Sequence, residues 1–234
     1  MYIKNYLRKY CQNLYSYCHK ISKKLSRYNL KKFLKADLKS FVDLGEELNV
    51  LFVGSGGSLE ALIRKTIKCN LISIDVNKDR DPDYIMSVTE MNFKNDNFDL
   101  VFMLEVLEHV EKPFKAPDEI FRVLKPGGTL LLSTPFIFGI HDEPYDYWRF
   151  TKYGLKNIFG QFENIIIKER TGFFLTICNL LVRLIICKSF LQKILGCLFS
   201  LLFYILLPLI NLIDYIMPNI ISSGYYLKAT KTSF

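Results

Sequence analysis

Val50-Leu51-Phe52-Val53-Gly54-Ser55-Gly56-Gly57-Ser58 is an apolar run that breaks into a glycine-rich loop. The run predicts a short buried strand over 50–53, and residues 59–67 behind the loop predict a helix. A strand ending in Gly-x-Gly-Gly before a helix lets backbone N–H groups approach an anionic or polar ligand at the helix N-terminus. Residues 71–74 predict the next strand, which ends at Asp75, 21 residues after Gly54. A carboxylate at that point can accept hydrogen bonds from both hydroxyls of a ribose. The loop alone reads equally well as a plain tight turn. Asp75 is what tilts it toward a nucleotide-like ligand.

The rhythm continues outward. Residues 84–88 predict a weak strand, 100–104 a strong one, 116–124 a helix and 128–133 another strand. Between them Lys125-Pro126-Gly127-Gly128 has the chemistry of a turn, since Pro fixes φ and glycine allows positive φ. Residues 152–159 then predict a helix, 164–168 a strand, and 225–230 a last strand. Alternating strands and helices argue for a parallel sheet covered on both faces.

Two flanking segments differ from this body. Residues 1–40 hold eleven Lys and Arg against Asp37 alone, a charge of +10 in a chain whose total is +8. Residues 1–45 predict a basic helical arm, with Tyr2, Tyr6 and Tyr10 on one face and Leu7, Leu14 and Ile21 nearby. Such an arm suits an anionic membrane surface or simple packing on the body, and nucleic acid less well. Residues 194–213 are twenty uncharged residues, enough to cross a hydrocarbon core of about 30 Å. Residues 173–182 are apolar too, followed by Arg183, Lys188 and Lys193. Because a strand follows at 225–230, the apolar block 173–221 must enter and leave on one side. A hairpin, re-entrant or lying in the interface, is expected over a single clean span, and Pro208 and Asn211 argue the same way.

The six cysteines, at 11, 18, 69, 178, 187 and 197, form no CxxC pair and no framework spacing. Reduced, partly buried thiols are expected rather than a zinc site or disulfide scaffold. Met1–Tyr10 has no apolar core or cleavage site of a signal peptide, which favours the cytoplasmic side of a membrane.

Four ordered motifs resemble a class I S-adenosylmethionine-dependent methyltransferase of the small-molecule type. They are residues 50–58, Asp75, Phe98-Asp99-Leu100-Val101-Phe102-Met103-Leu104-Glu105-Val106-Leu107-Glu108-His109-Val110, and residues 123–135. The stretch His141-Asp142-Glu143-Pro144-Tyr145-Asp146-Tyr147-Trp148-Arg149-Phe150-Thr151 resembles a loop of a subgroup associated with bacterial surface-polysaccharide synthesis. The resemblance covers roughly residues 48–172 and the last strand. It implies a Rossmann-like α/β fold with a seven-stranded sheet, helices on both faces, and an antiparallel last strand beside 164–168. The apolar helical block would be an insertion before that strand. The implied organisation is an arm at 1–45, a methyltransferase domain at 46–172 and 222–234, and the insertion at 173–221.

The resemblance also implies S-adenosylmethionine as cofactor. Gly54, Ser55 and Gly56 would line its methionine part, Asp75 its ribose, Val88 and Thr89 its adenine, and Glu105 would lie beneath the sulfonium. Three positions depart from the family: Phe52 and Ser87 stand where acids are usual, and Ser58 where a third glycine is usual. Together they leave room for a non-catalytic scaffold.

Methyl transfer to a hydroxyl requires alignment, exclusion of water and a base. His109 and His141 are the candidates, since imidazole titrates near neutral pH. Asp146, Tyr147, Trp148 and Arg149 are the candidate acceptor contacts: Arg149 could hold a phosphate or carboxylate, and the rings could stack on a sugar. Alternatively Asp146 and Arg149 brace the loop by pairing with each other. The loop lacks a helical i, i+4 ligand pair, so no metal is expected. The sequence thus points to a membrane-associated methyltransferase at the inner leaflet, acting on a lipid-linked or membrane-proximal small-molecule acceptor such as a glycan intermediate. A quinone or other isoprenoid lipid is the alternative.

Overall fold

The computed structural model describes residues 2–43, 45–187, 189–217 and 220–232, with side chains described from Gln12 onward. The expected tyrosine face of Tyr2, Tyr6 and Tyr10 with Leu7, the Cys11 thiol, and Lys188 lie outside the described residues. The strands are β1 (Leu48–Val53), β2 (Cys69–Asp75), β3 (Tyr84–Ile85), β4 (Phe98–Leu104), β5 (Leu124–Pro135), β6 (Glu163–Glu169) and β7 (Gly224–Thr230). The helices are α1 (Tyr2–Ser26), α2 (Tyr28–Val42), α3 (Gly57–Thr66), α4 (Ala116–Val123), α5 (Lys152–Ile158), α6 (Phe173–Val182) and α7 (Phe190–Ile216).

All seven strands form one sheet in the order β3-β2-β1-β4-β5-β7-β6. The first five are parallel, whereas β7 is antiparallel to both β5 and β6 and lies between them. This is the Rossmann-like methyltransferase sheet expected from the sequence, with the apolar helix α7 preceding the last strand. The chain runs outward from β1 to β3 and then returns to place β4 on the other side of β1. That reversal opens a crevice at the carboxyl ends of β1 and β4.

Two elements differ from expectation. The weak strand at 84–88 shortens to Tyr84–Ile85, and Ser87 instead bridges to Glu90 around a tight turn. The Lys125–Gly128 turn is absorbed into β5 as an irregularity: Leu124 pairs with Phe98, the register shifts, and pairing resumes at Thr129 opposite Leu100. Gly127 takes φ +76°, and a Cβ on Gly128 would meet the Lys125 carbonyl at 2.8 Å. Glycine turns the chain back without leaving the sheet.

The chain divides into two compact units. One comprises Leu30–Phe136, Ile140–Glu169 and Gly224–Phe234 and holds the sheet. On one sheet face Leu30, Leu34 and Leu38 of α2 pack with Phe52, Phe102, Leu131 and Tyr226. Each fully buried leucine contributes about 2 kcal/mol of transfer free energy. Asp37 fixes the docking, accepting from Tyr226 Oη at 2.9 Å and Lys228 Nζ at 3.1 Å. On the other face Val101, Met103, Leu130 and Leu132 pack with Ile120 and Val123 of α4 and Leu155 of α5. The expected single helix over 1–45 is therefore two helices separated at Arg27, the second serving the sheet core.

The other unit comprises Met1–Asn29, Ile137–Gly139 and Arg170–Ser223. Its core is built by Ile21 and Leu25 of α1 with Val182, and by Leu175, Cys178 and Ile210. α6 leads through a 3-10 turn, Arg183–Ile186, to α7. Asp214 near the end of α7 accepts hydrogen bonds from the amides of Phe174 and Leu175 at 2.8 and 3.0 Å. The two open ends of the block therefore meet, as a hairpin requires. α7 runs as one helix through Pro208. Over its 27 residues it is long and apolar enough to cross a membrane, and Phe190, Ile205 and Tyr215 are exposed to 78%, 74% and 88%. Cys18, Cys69, Cys178, Cys187 and Cys197 are free thiols.

Candidate active site

The glycine loop sits where β1 leaves the sheet. Gly54, Gly56 and Gly57 take φ of +89°, +89° and +86°, a region costly for side chains with a Cβ. At Gly54 the space is closed as well, because a Cβ would run into Val106 Cγ2. The loop's own donors are largely engaged. Gly54 N–H donates to Ile74 O at 2.8 Å, and Gly56 N–H donates to Glu60 Oε2 at 2.6 Å. The hydroxyl of buried Ser55 donates to Arg80 O at 3.2 Å. Gly54, Ser55 and Gly56 thus shape a cradle more than they present donors.

Glu60 was not singled out from the sequence. It is buried, is paired with Arg64 at 2.8 Å, and brings a carboxylate to the loop from α3. Phe52, where an acid is usual, points instead into the core with Phe102. The signal for Glu60 was its place one turn into a helix that begins after a glycine N-cap, where a carboxylate can satisfy an open amide.

Asp75 lies at the carboxyl end of β2 with a nearly buried side chain. Its Oδ1 accepts from Asn77 N–H at 2.8 Å, and its Oδ2 lies 3.8 Å from Arg80 Nε. Val88 is buried in the sheet core. Thr89 Oγ1 is hydrogen-bonded to Ser87 Oγ at 2.8 Å. Glu105 directly follows β4 in the left-handed region at φ +60°, and its Oε1 accepts from Ser133 Oγ at 2.8 Å. A non-glycine residue held there is strained, and such strain clusters at functional sites.

On the opposite rim the structure brings His109 and His141 together. Their rings meet edge to face, with centroids 4.8 Å apart. His109 Nδ1 lies 2.9 Å from the Tyr145 carbonyl, so Nδ1 carries the proton and donates it. His141 Nδ1 lies 3.2 Å from Asp146 Oδ2. The Nε2 atoms of both rings face Glu108 Oε1, at 3.7 and 3.9 Å. Glu108 is wholly buried, and its Oε2 accepts from Thr134 Oγ1 at 3.3 Å. Sequence reasoning passed over Glu108, since nothing local distinguishes it from an ordinary acid on a strand-end turn.

Arg149 donates to Asp146 from Nη1 to Oδ1 at 2.6 Å and from Nη2 to Oδ2 at 2.7 Å. The side chain of Asp146 is buried, which opposes ionisation. The Arg149 hydrogen bonds, the His141 amide and the neighbouring positive charges outweigh this and hold its pKa down to about 2. Arg149 is raised in turn, first by its hydrogen bond to Asp146. The bracing alternative therefore describes this pair, and the guanidinium is not held out for an acceptor anion. Trp148 is likewise spent on packing: Nε1–H donates to Val110 O at 3.0 Å, and the ring lies against Phe114 and Phe150. Tyr147 remains exposed on the rim.

Arg80 links the two sides. It lies 3.8 Å from Asp75 and 3.9 Å from Asp142, and Asp142 Oδ2 lies 4.0 Å from His109 Nε2. A line of polar groups thus runs from Asp75 through Arg80 and Asp142 to the paired imidazoles.

Residues 51–132 match the model of a methyltransferase domain family, and this span includes the glycine loop, Asp75, Glu105 and His109. Over that span the chain resembles a methyltransferase domain. A methyltransferase from Archaeoglobus fulgidus, described as S-adenosylmethionine-dependent, has the same fold: TM-score 0.58 at 18% identity, over 88% of this chain and 95% of that one. Phosphoethanolamine N-methyltransferase 2 of Haemonchus contortus, solved with S-adenosylmethionine, gives 0.56 at 16% identity, over 86% of this chain and 52% of that one. The mitochondrial ubiquinone biosynthesis O-methyltransferase of Candida albicans is 33% identical over 37% of this chain and 32% of its own length. The chain thus spans about a third of the length of that relative.

The resemblance of residues 51–132 to a methyltransferase domain implies S-adenosylmethionine as cofactor. The residues fit it: the cradle at Gly54 admits backbone but no side chain, and Asp75 offers hydroxyl groups a carboxylate.

Proposed function

We propose that this chain is a membrane-associated O-methyltransferase that transfers a methyl group from S-adenosylmethionine to a hydroxyl of a membrane-proximal lipid acceptor. The observation that carries the reaction is the line of residues from Asp75 through Arg80 and Asp142 to His109 and His141. It joins a ribose-type site to a pair of imidazoles across the crevice. When bound, S-adenosylmethionine supplies a methyl carbon activated by a sulfonium. Gly54 and Gly56 give its methionine part room, and Asp75 accepts from the ribose hydroxyls. Glu105, held by Ser133, lines the end of β4. His141, with Nδ1 turned to Asp146, would present Nε2 toward the acceptor and take the hydroxyl proton as the methyl carbon passes from the sulfonium sulfur, which leaves as a neutral thioether, to the acceptor oxygen. His109 and Glu108 complete the polar wall.

The exposed apolar surface of α7, with Lys20, Lys23, Lys24 and Arg27 on or just after α1, supports seating at an anionic leaflet. The Candida relative's name favours a quinone-type or other isoprenoid phenol over the glycan intermediate suggested by the His141–Thr151 loop.

Calorimetric titration of the detergent-solubilised chain with S-adenosylmethionine and S-adenosylhomocysteine tests the cofactor site. Micromolar binding of either supports the enzyme, whereas a folded sample that binds neither at millimolar concentration makes it a scaffold. Flotation with anionic vesicles, repeated after replacing 173–221 by a short polar linker, tests the membrane. Retained flotation would assign the attachment to the basic helix instead. With both in hand, a polyprenylated catechol and a lipid-linked sugar offered as acceptors separate the two acceptor classes.

A further inference from the structure

We propose that Glu108, His109 and His141 form a binding site for a borderline divalent cation of the zinc type. Their ligand atoms, one carboxylate oxygen and two imidazole nitrogens, all lie within 4.8 Å of one another. The paired distances from Glu108 Oε1 are 3.7 Å to His109 Nε2 and 3.9 Å to His141 Nε2. Ligands to one such ion sit about 2.0–2.2 Å from it, so the two pairs with Glu108 need shifts of a few tenths of an ångström, and the widest pair must close by about 1 Å.

Three features make this more than proximity. Both imidazoles are oriented from behind: Nδ1 of His109 donates to the Tyr145 carbonyl, and Nδ1 of His141 faces the Asp146 carboxylate. An acceptor on Nδ1 fixes the proton there and turns the Nε2 lone pair forward, the arrangement that ligating histidines carry. Asp146 is itself pinned by Arg149, which extends the support one shell further. The third ligand is a wholly buried carboxylate, whose charge is costly to desolvate and is offset by a cation at Oε1. Its backbone is locked too, since Glu108 O accepts from the amides of Tyr147 and Trp148. Finally, exposed Asp142, with Oδ2 4.0 Å from His109 Nε2, stands ready as a fourth ligand or as a holder of a bound water.

The donor set chooses the ion. Two imidazoles and one carboxylate suit zinc or cobalt, whereas magnesium and calcium prefer oxygen throughout. Three protein ligands leave a position open to water or to an acceptor oxygen. The sequence hid the site because His109 and Glu108 follow β4 whereas His141 follows β5, and only the parallel pairing of those strands brings them to one rim. The inference goes beyond the proposed methyl transfer and does not rest on it: an ion on His141 Nε2 would replace that imidazole as the group that activates the acceptor, and its binding is measured without cofactor or acceptor.

The test uses the full chain in detergent, dialysed against a chelator and titrated with Co2+. One equivalent is expected, with a visible d–d absorption and no thiolate charge-transfer band, and Zn2+ should displace it. His109→Ala and His141→Ala should each weaken Co2+ by tenfold or more. Asp146→Asn, which touches no ion, should weaken it by about tenfold through the loss of its support. Far-UV circular dichroism confirms that each variant is folded, and His141→Ala serves if a change at buried Glu108 fails to fold. Failure to retain Co2+, a thiolate band, or binding untouched by both histidine substitutions would overturn the site.

Discussion

Asp146 Oδ2 lies 3.2 Å from His141 Nδ1 while both Asp146 oxygens are held by Arg149. The carboxylate is therefore ionised across the whole range in which the protein would work, with a pKa near 2. Its folded value lies below its ordinary value of 3.8, so it contributes stability above about pH 4 and loses it as pH falls toward 2. Asp146→Asn should cost about 2 kcal/mol at pH 6, from the size of that shift. The gap between variant and parent should roughly halve by pH 3. Urea unfolding followed by the single tryptophan, Trp148, reads both numbers. A gap independent of pH would mean that the carboxylate is not depressed by its partners.

Gly54 and Gly57 share positive φ but differ in surroundings: a Cβ on Gly54 runs into Val106, and one on Gly57 meets nothing within 4 Å. Gly57→Ala should cost about 1 kcal/mol for the backbone conformation alone. Gly54→Ala adds overpacking of roughly 1–3 kcal/mol and should also abolish cofactor binding. Thermal unfolding of the two variants in parallel separates these contributions. Equal losses would remove the argument that the close approach at Val106 shapes the cradle.

Much of this fold was legible because its signals are local. The run at 50–53, the glycines behind it and Asp75 at the end of the next strand each announce their role within a few residues. The antiparallel insertion of β7 followed from the family resemblance, and the sheet order agrees. What could not be read were roles assigned by partners distant in sequence. Arg149 and Trp148 look like ligand-binding side chains until Asp146 and the Val110 carbonyl occupy them. Glu60 and Glu108 look like ordinary acids until a loop amide and two imidazoles turn out to face them. Likewise α2 reads as part of a basic arm, although its three buried leucines belong to the sheet.

Asp75→Ala should reduce affinity for S-adenosylhomocysteine by about ten- to a hundredfold, the range expected for losing charge-assisted hydrogen bonds to hydroxyls. Asp75 also accepts from Asn77 N–H, so Asp75→Asn is the companion variant that keeps the shape of the turn. Isothermal titration of both distinguishes the roles. If Asp75→Asn binds as the parent does and Asp75→Ala does not, the residue braces the turn instead of holding a ribose.

Asp214 closes the helical hairpin by capping the far helix: Oδ1 takes Phe174 N–H and Oδ2 takes Leu175 N–H. These are amides of the first turn of α6, which has no side-chain cap of its own at Gly172. Asp214→Ala should therefore cost about 1 kcal/mol, the usual effect of removing an N-cap, despite the distance in sequence. Asp214→Asn keeps one acceptor and should recover roughly half. The approach is close enough that a Cβ on Gly172 would strike the Asp214 side chain, so Gly172→Ala should disturb the same contact from the other side. Hydrogen exchange at Phe174 and Leu175 is the direct readout, and all three variants should speed it while leaving exchange in β4 and β5 unchanged. Protection of those two amides surviving in Asp214→Ala would show that the hairpin is held by apolar packing alone.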